Sequence, residues 1–299
     1  MPDTQKQRSG GSTTRAIGLM IGAILLFTAM DAVAKGLLSR HPTSQVIWAR
    51  FAGQLLLVLL ILRGRVGPLL RTAHPRLHLA RCACQLGATG LFFTALGYIG
   101  LAEATALTDT NPVLITLGAA LFLGEKLGPR RILGVCGAMV GALIIIRPGL
   151  GVFTPAALLP IGAAVCYTGN ALITRFVGRN ESIWTSMIYA SVFGTVVLGF
   201  AQPFVWQPIS GSDALLFCLM GALGTMAQLC LIRSFSMAEA SVVAPFAYLG
   251  IVFAAVWGAV LYGEYPDFWD CTGALVIIAA GLYVWHRETQ GRKRPSGAN

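Results

Sequence analysis

Apolar stretches of about 20 residues, the length that crosses a bilayer as a helix, recur along the chain. They occupy residues 16–38, 43–62, 82–101, 105–124, 131–147, 155–177, 184–204, 213–233, 241–262 and 268–286. Helix breakers and turn formers fall between them: His41-Pro42, Gly67-Pro68, Gly128-Pro129, Pro148-Gly149, Pro208 and Pro266. The pattern predicts an all-α integral membrane protein with ten transmembrane helices. Polar residues are left for an N-terminal tail (1–15), short loops, one longer basic connection (63–81) and a C-terminal tail (288–299).

Composition agrees. Of 299 residues, 56% are hydrophobic and 11% charged, where a soluble globular chain carries about 25% charge. That is too little charge to coat a soluble surface of this size, and it argues against a soluble enzyme or a nucleic-acid binder. The net charge of +10 is a record of topology. With the N-terminus inside, all but four of the 22 Lys and Arg residues fall on the cytoplasmic side. Arg40 and Arg147 lie outside, and Lys35 and Arg50 lie within spans. Both termini are then cytoplasmic, in a bacterial inner membrane. The seven cysteines sit singly in or beside apolar runs, and Cys82-x-Cys84 lacks the second pair that a zinc site needs.

The chain repeats itself. Ile21-Gly22-Ala23 through Phe27-Thr28 to Lys35 matches Ile161-Gly162-Ala163 through Tyr167-Thr168 to Arg175, about 140 residues on. Gly124-Glu125 followed by Gly134 matches Gly263-Glu264 followed by Gly273 at nearly the same spacing, and Glu103-Ala104-Thr105 resembles Glu239-Ala240-Ser241. The units are residues 16–148 and 155–287. Each holds five spans, so the second enters the membrane from the opposite side. Inverted repeats of this kind build transporters, with the substrate between the halves near the midplane. No phosphate-binding loop of the G-x-x-x-x-G-K-[ST] type, no H-E-x-x-H and no G-x-S-x-G occurs, so the chain reads as a carrier and not an enzyme.

Ionisable residues inside a span are costly and mark function. Asp31, Lys35, Arg50 and Asp109 are the four here. Asp31 and Lys35 share a helix face, and the set sums to zero charge. It forms either a cluster recognising a zwitterion or a structural set of ion pairs at the outer helix ends. Gln85, Asn111, Asn170 and Gln228 place amides in apolar surroundings, where they bond neighbouring helices or line a wet cavity. Tyr167 and Tyr248 join an apolar ring to a polar tip. Thr28, Thr89, Thr168 and Thr225 are expected to bond their own helix backbone. Pro112 and Pro245 break helix ladders within spans. Glu125 and Glu264 read as interface and cap residues. Gly18-x-x-x-Gly22 and Gly137-x-x-x-Gly141 are expected to permit close helix approach.

With these marks the chain resembles the EamA branch of the drug/metabolite transporter superfamily. The matching residues are Leu123-Gly124-Glu125 with Gly134, Gly137 and Gly141, and Leu261-Tyr262-Gly263-Glu264 with Gly273. Met30-Asp31-Ala32-x-x-Lys35, Trp48-Ala49-Arg50-Phe51 and Val243-Ala244-Pro245-Phe246-x-Tyr248-Leu249-Gly250 also fit. Asn111-Pro112 departs from it, having no exact partner in the second half. The resemblance implies alternating access through a central cavity and export of amino acids, aromatic or neutral, or of similar small metabolites. The alternatives are an importer of a nucleoside-derived or other metabolite on the same fold, or a membrane-embedded enzyme. It implies no cofactor and no metal. The implied partners are a small-molecule substrate and the lipid bilayer, with no nucleic acid, and the protein works as a monomer or homodimer.

Overall fold

The structure is a computed structural model describing residues 3–63, 67, 72, 74–123, 129–147, 154–177, 183–238 and 240–292. It is all-helical, ten transmembrane spans arranged as two inverted five-helix repeats. The first unit comprises α1 (Asp3–Leu38), α2 (Thr43–Ile61), α3 (Pro75–Leu96), α4 (Leu101–Thr108) with α5 (Asn111–Leu123), and α6 (Pro129–Ile146). The second comprises α7 (Leu158–Val177), α8 (Ile183–Gly199) with the short α9 (Gln202–Val205), and α10 (Gly211–Met237). It continues through α11 (Ala240–Val243) with α12 (Leu249–Trp257) to α13 (Phe268–Arg292). Six of the helical stretches are long and apolar enough to cross a membrane by length and composition, and Ile132–Ile146, Trp184–Gly199 and Phe268–Tyr283 are shorter apolar helices. Two ends differ from expectation: α1 begins at Asp3, within the expected tail, and α13 runs on to Arg292.

Spans four and nine are broken. In span four, Asp109 and Thr110 form a turn between α4 and α5. In span nine, Ala244–Tyr248 tightens into a 3₁₀ helix between α11 and α12, and Gly258–Tyr262 widens into a π turn. Proline explains both breaks, since Pro112 and Pro245 can donate no backbone bond and crowd the preceding turn.

The packing is symmetric. α1 lies along α10 and α3 along α7; α2 packs on α8, α6 on α13 and α4 on α12. Exchanging each span for its counterpart five spans on turns this set of neighbours into itself. The core is apolar and close-packed, with Met30, Leu37, Phe93, Leu96, Leu101, Leu107, Met220 and Ile277 fully buried. The outer faces are apolar too: Phe122 is 73% exposed and Leu60 62%. Such a surface suits lipid and not water.

Glycine sets the closest crossings. A Cβ on Gly273 would stand 2.6 Å from the Gly141 carbonyl oxygen, so α6 and α13 touch backbone to backbone. Gly53 on α2 and Gly221 on α10 meet likewise, a Cβ on either lying 3.1 Å from the other's Cα. The expected approach at Gly18 and Gly22 is not found, for nothing lies within 4 Å of a Cβ built on either. Ala16, Met20, Ala23, Met30, Ala34 and Leu37 form the buried stripe of α1, and the two glycines stand off it.

Candidate functional site

The break in span four holds two neighbouring buried oxygens that lack a hydrogen-bond donor among the described residues. The α4 ladder ends where the Asp109 amide donates to the Thr105 carbonyl, and the Thr110 hydroxyl donates to the Leu107 carbonyl at 2.8 Å. Asp109 Oδ2 and Asn111 Oδ1 are buried and accept no hydrogen bond among the described residues. Asp109 acts electrostatically on Tyr167 of α7 and Tyr248 of the 3₁₀ segment. Tyr248 is 8% exposed, and its hydroxyl rests over Gly281, where any side chain would overlap it. Tyr167 is 41% exposed. A buried acceptor without a donor is uncommon in a native protein and calls for a ligand or water. Interrupted spans at corresponding positions of two inverted halves are where such carriers bind substrate.

Asp31 and Arg50 form a second group. Both are half-buried, and their charges act on one another without a direct ion pair. The Arg50 guanidinium donates to Thr89 Oγ1 at 2.7 Å and lies 5.8 and 5.4 Å from the Phe51 and Phe93 ring centres. Among the described residues no hydrogen bond reaches the Asp31 carboxylate.

Lys35 is not placed with Asp31. Its ammonium sits 2.8 Å from Glu264 Oε1 and donates to the carbonyls of Leu96 and Ile99 at 3.1 and 2.6 Å. All three of its donors are used. Glu264 is thus more than a cap. Its Oε2 accepts from the Leu101 amide at 3.0 Å, capping α4, while its other oxygen neutralises a lysine that is 11% exposed. Gln85 and Asn170 take each other, Asn170 Nδ2 donating to Gln85 Oε1 at 2.7 Å across α3 and α7. Gln228 is half-buried on α10, one turn beyond Thr225. Thr28, Thr168 and Thr225 bond their own helices, as expected.

A polar network at the bundle end opposite the N-terminus has no counterpart among the expected site residues. Asp213 pairs with Arg40 at 2.6 Å and with His41 at 3.1 Å. Gln45 exchanges two hydrogen bonds with the Gln207 backbone. Arg147 bridges Asp267 and Asp270 at 2.6 and 3.1 Å. Partial burial pushes the Asp267 carboxyl up, but the Asp270 amide and the Arg147 guanidinium outweigh it and hold it below its ordinary range. Glu125, the counterpart of Glu264, and Glu239 lie outside the described residues. So does the Arg175 side chain.

Among the described residues no three His, Cys, Asp or Glu side chains gather as a metal site. An apolar groove of about 310 Å³ runs between α3 and α8, lined by Leu79, Tyr189 and Phe193 among others, and a second of about 440 Å³ runs along α8, lined by Ile188, Val192 and Val196 among others. They hold none of the candidate residues.

The EamA-like transporter family matches the chain twice, over residues 14–147 and 154–285. A riboflavin transporter of Brucella anthropi is 30% identical over 90% of this chain and 98% of that protein. A pseudopaline exporter of Pseudomonas aeruginosa is 30% identical over 88% and 93%, and an S-adenosylmethionine uptake transporter of Rickettsia felis is 24% identical over 93% and 95%. A solved crystal structure superposes with a TM-score of 0.63 at 17% identity, covering 94% of this chain and 99% of its own, and bears on the fold alone. The chain belongs to the EamA-like transporter family and is a membrane transporter of that type.

Proposed function

We propose that the protein is a secondary carrier for a small heterocyclic metabolite of the riboflavin class, working in a bacterial inner membrane with both termini in the cytoplasm. The moving bodies are the units 16–148 and 155–287, and the site lies within one chain. One observation carries the reading: Asp109 and Asn111 are unpaired at the break in span four, with Tyr167 and Tyr248 beside them. A flat ring edged with N–H donors and carbonyl acceptors suits that setting, the rings stacking and the orphaned oxygens accepting hydrogen bonds. The relative from Brucella anthropi, named as a riboflavin transporter, supports it.

Export of amino acids is the second reading. The relative named as a pseudopaline exporter favours the outward direction, and the opposite charges of Asp31 and Arg50 suit a zwitterion. Counterflow in proteoliposomes separates the two. Vesicles loaded with unlabelled riboflavin should accumulate labelled riboflavin, and vesicles loaded with phenylalanine should not accumulate labelled phenylalanine. The reverse pattern would replace the first reading with the second. Running the assay with outward and inward gradients gives the direction.

A further inference from the structure

Span nine is fastened to span one at the end opposite the N-terminus, and the fastening has the build of a latch. The chain leaves the π turn Gly258–Tyr262 through Gly263, at φ 65°. This left-handed conformation is open to glycine at little cost, and it turns Glu264 back toward α1. Glu264 there holds the Lys35 ammonium with one oxygen and the Leu101 amide with the other. Lys35 spends its remaining donors on Leu96 and Ile99, in the connection from α3 to α4. The Tyr262 hydroxyl donates to the Ala32 carbonyl, in the space left by the absent side chain of Gly36. Four elements thus meet on one ion pair: α1, the α3–α4 connection, the head of α4, and the tail of span nine.

Two features separate this pair from ordinary stabilisation. First, it joins the two repeats, the bodies that must part for a central cavity to open. Second, it bonds both broken spans at once, whereas the neighbouring ion pairs at this end fasten helix heads. Arg40 and His41 hold Asp213 at the head of α10, and Arg147 holds Asp267 and Asp270 at the head of α13. Lys35 and Glu264 instead tie α1 directly to the tail of span nine and the head of α4, the broken spans that carry Tyr248 and Asp109. We infer that Lys35 and Glu264 act in transport as positioning residues: their ion pair holds the cavity shut on the side opposite the N-terminus and parts when the carrier opens there. The pair touches no substrate, and the inference rests on the transport reading but not on any particular substrate.

The test uses full-length protein in nanodiscs and proteoliposomes. Hydrogen–deuterium exchange is read over residues 101–107, with α6 and α13 as internal references, and needs no substrate. Lys35→Gln and Glu264→Gln are each expected to raise exchange at 104–107 roughly fivefold or more, leaving α6 and α13 unchanged. Lys35→Arg, which keeps charge and donors, should stay near the parent. Tyr262→Phe, which deletes one hydroxyl, should give a smaller rise and serves if the charge variants fold poorly. In counterflow with whichever solute the protein moves, the two Gln variants should lower the KM from the latched side and raise it from the other. Exchange unchanged at 104–107, or raised equally in all helices, would overturn the inference. So would a KM that moves the same way on both faces. If no solute is moved at all, the transport reading fails while the exchange result still stands on its own.

Discussion

An ammonium group has three donors and a carboxylate about four acceptor sites, and counting them separates residues that sequence alone puts together. Lys35 and Asp31 share a helix face four residues apart, yet Lys35 is fully engaged with Glu264 and two carbonyls while Asp31 has no bond. Partners arriving from the α3–α4 connection and from beyond span nine made the difference, and no local pattern announces them. Glu264 shows the same limit: it was legible as a cap, and it does cap α4, but its second oxygen could not be assigned without its neighbour. At this scale Asp109→Asn is expected to weaken substrate binding about tenfold, or ~1.4 kcal/mol, in a binding titration, with Tm little changed because no described residue donates to Asp109 Oδ2. Gln85→Ala should cost about 0.6–2 kcal/mol in thermal stability by stranding Asn170. The double replacement Gln85→Leu with Asn170→Leu should recover most of it, since removing both partners leaves nothing unsatisfied.

Helices carry a different kind of information. Ten apolar stretches and the breakers between them were legible because length and hydrophobicity are properties of a segment by itself. The two prolines marked the broken spans for the same reason. Helix contacts were legible only in part. Gly137-x-x-x-Gly141 did mark a close crossing, whereas Gly18-x-x-x-Gly22 marked none, since small residues permit an approach but do not supply the partner. Which face of α1 is buried was decided by Ala16, Met20, Ala23 and Met30. A paired substitution makes this measurable. Gly273→Val should lower Tm sharply or prevent insertion, because its side chain would enter the Gly141 backbone, while Gly22→Val should be nearly neutral. At the head of α13, Arg147→Ala should lower Tm modestly at neutral pH. That loss should fade in acid, because a carboxylate held below its ordinary range contributes stability above that range and loses it as pH falls through the lowered value.

For the whole molecule, charge bias and an internal repeat led to ten spans and transport, because both are sums over the chain. The substrate was not legible. Asp109, Tyr167 and Tyr248 come from three distant stretches, and what they bind depends on how those stretches converge. The repeat also makes a functional prediction at this scale. In register, Lys35 falls on Arg175 and Glu264 on Glu125. If the halves exchange roles between the two states of the carrier, Glu125→Gln is expected to move the two-sided KM values opposite to Glu264→Gln. Proteoliposome kinetics from both faces would show it.

The crossing of Gly53 and Gly221 bears on how easily such a machine runs. Interlocked side chains must unthread before two helices slide, and each unthreading adds a barrier. Where α2 and α10 cross, bare backbone meets bare backbone, and there is nothing to unthread. A contact of this kind would work as a bearing between the halves. Roughening it with one methyl group should slow the turnover of the carrier more than it loosens the grip on cargo.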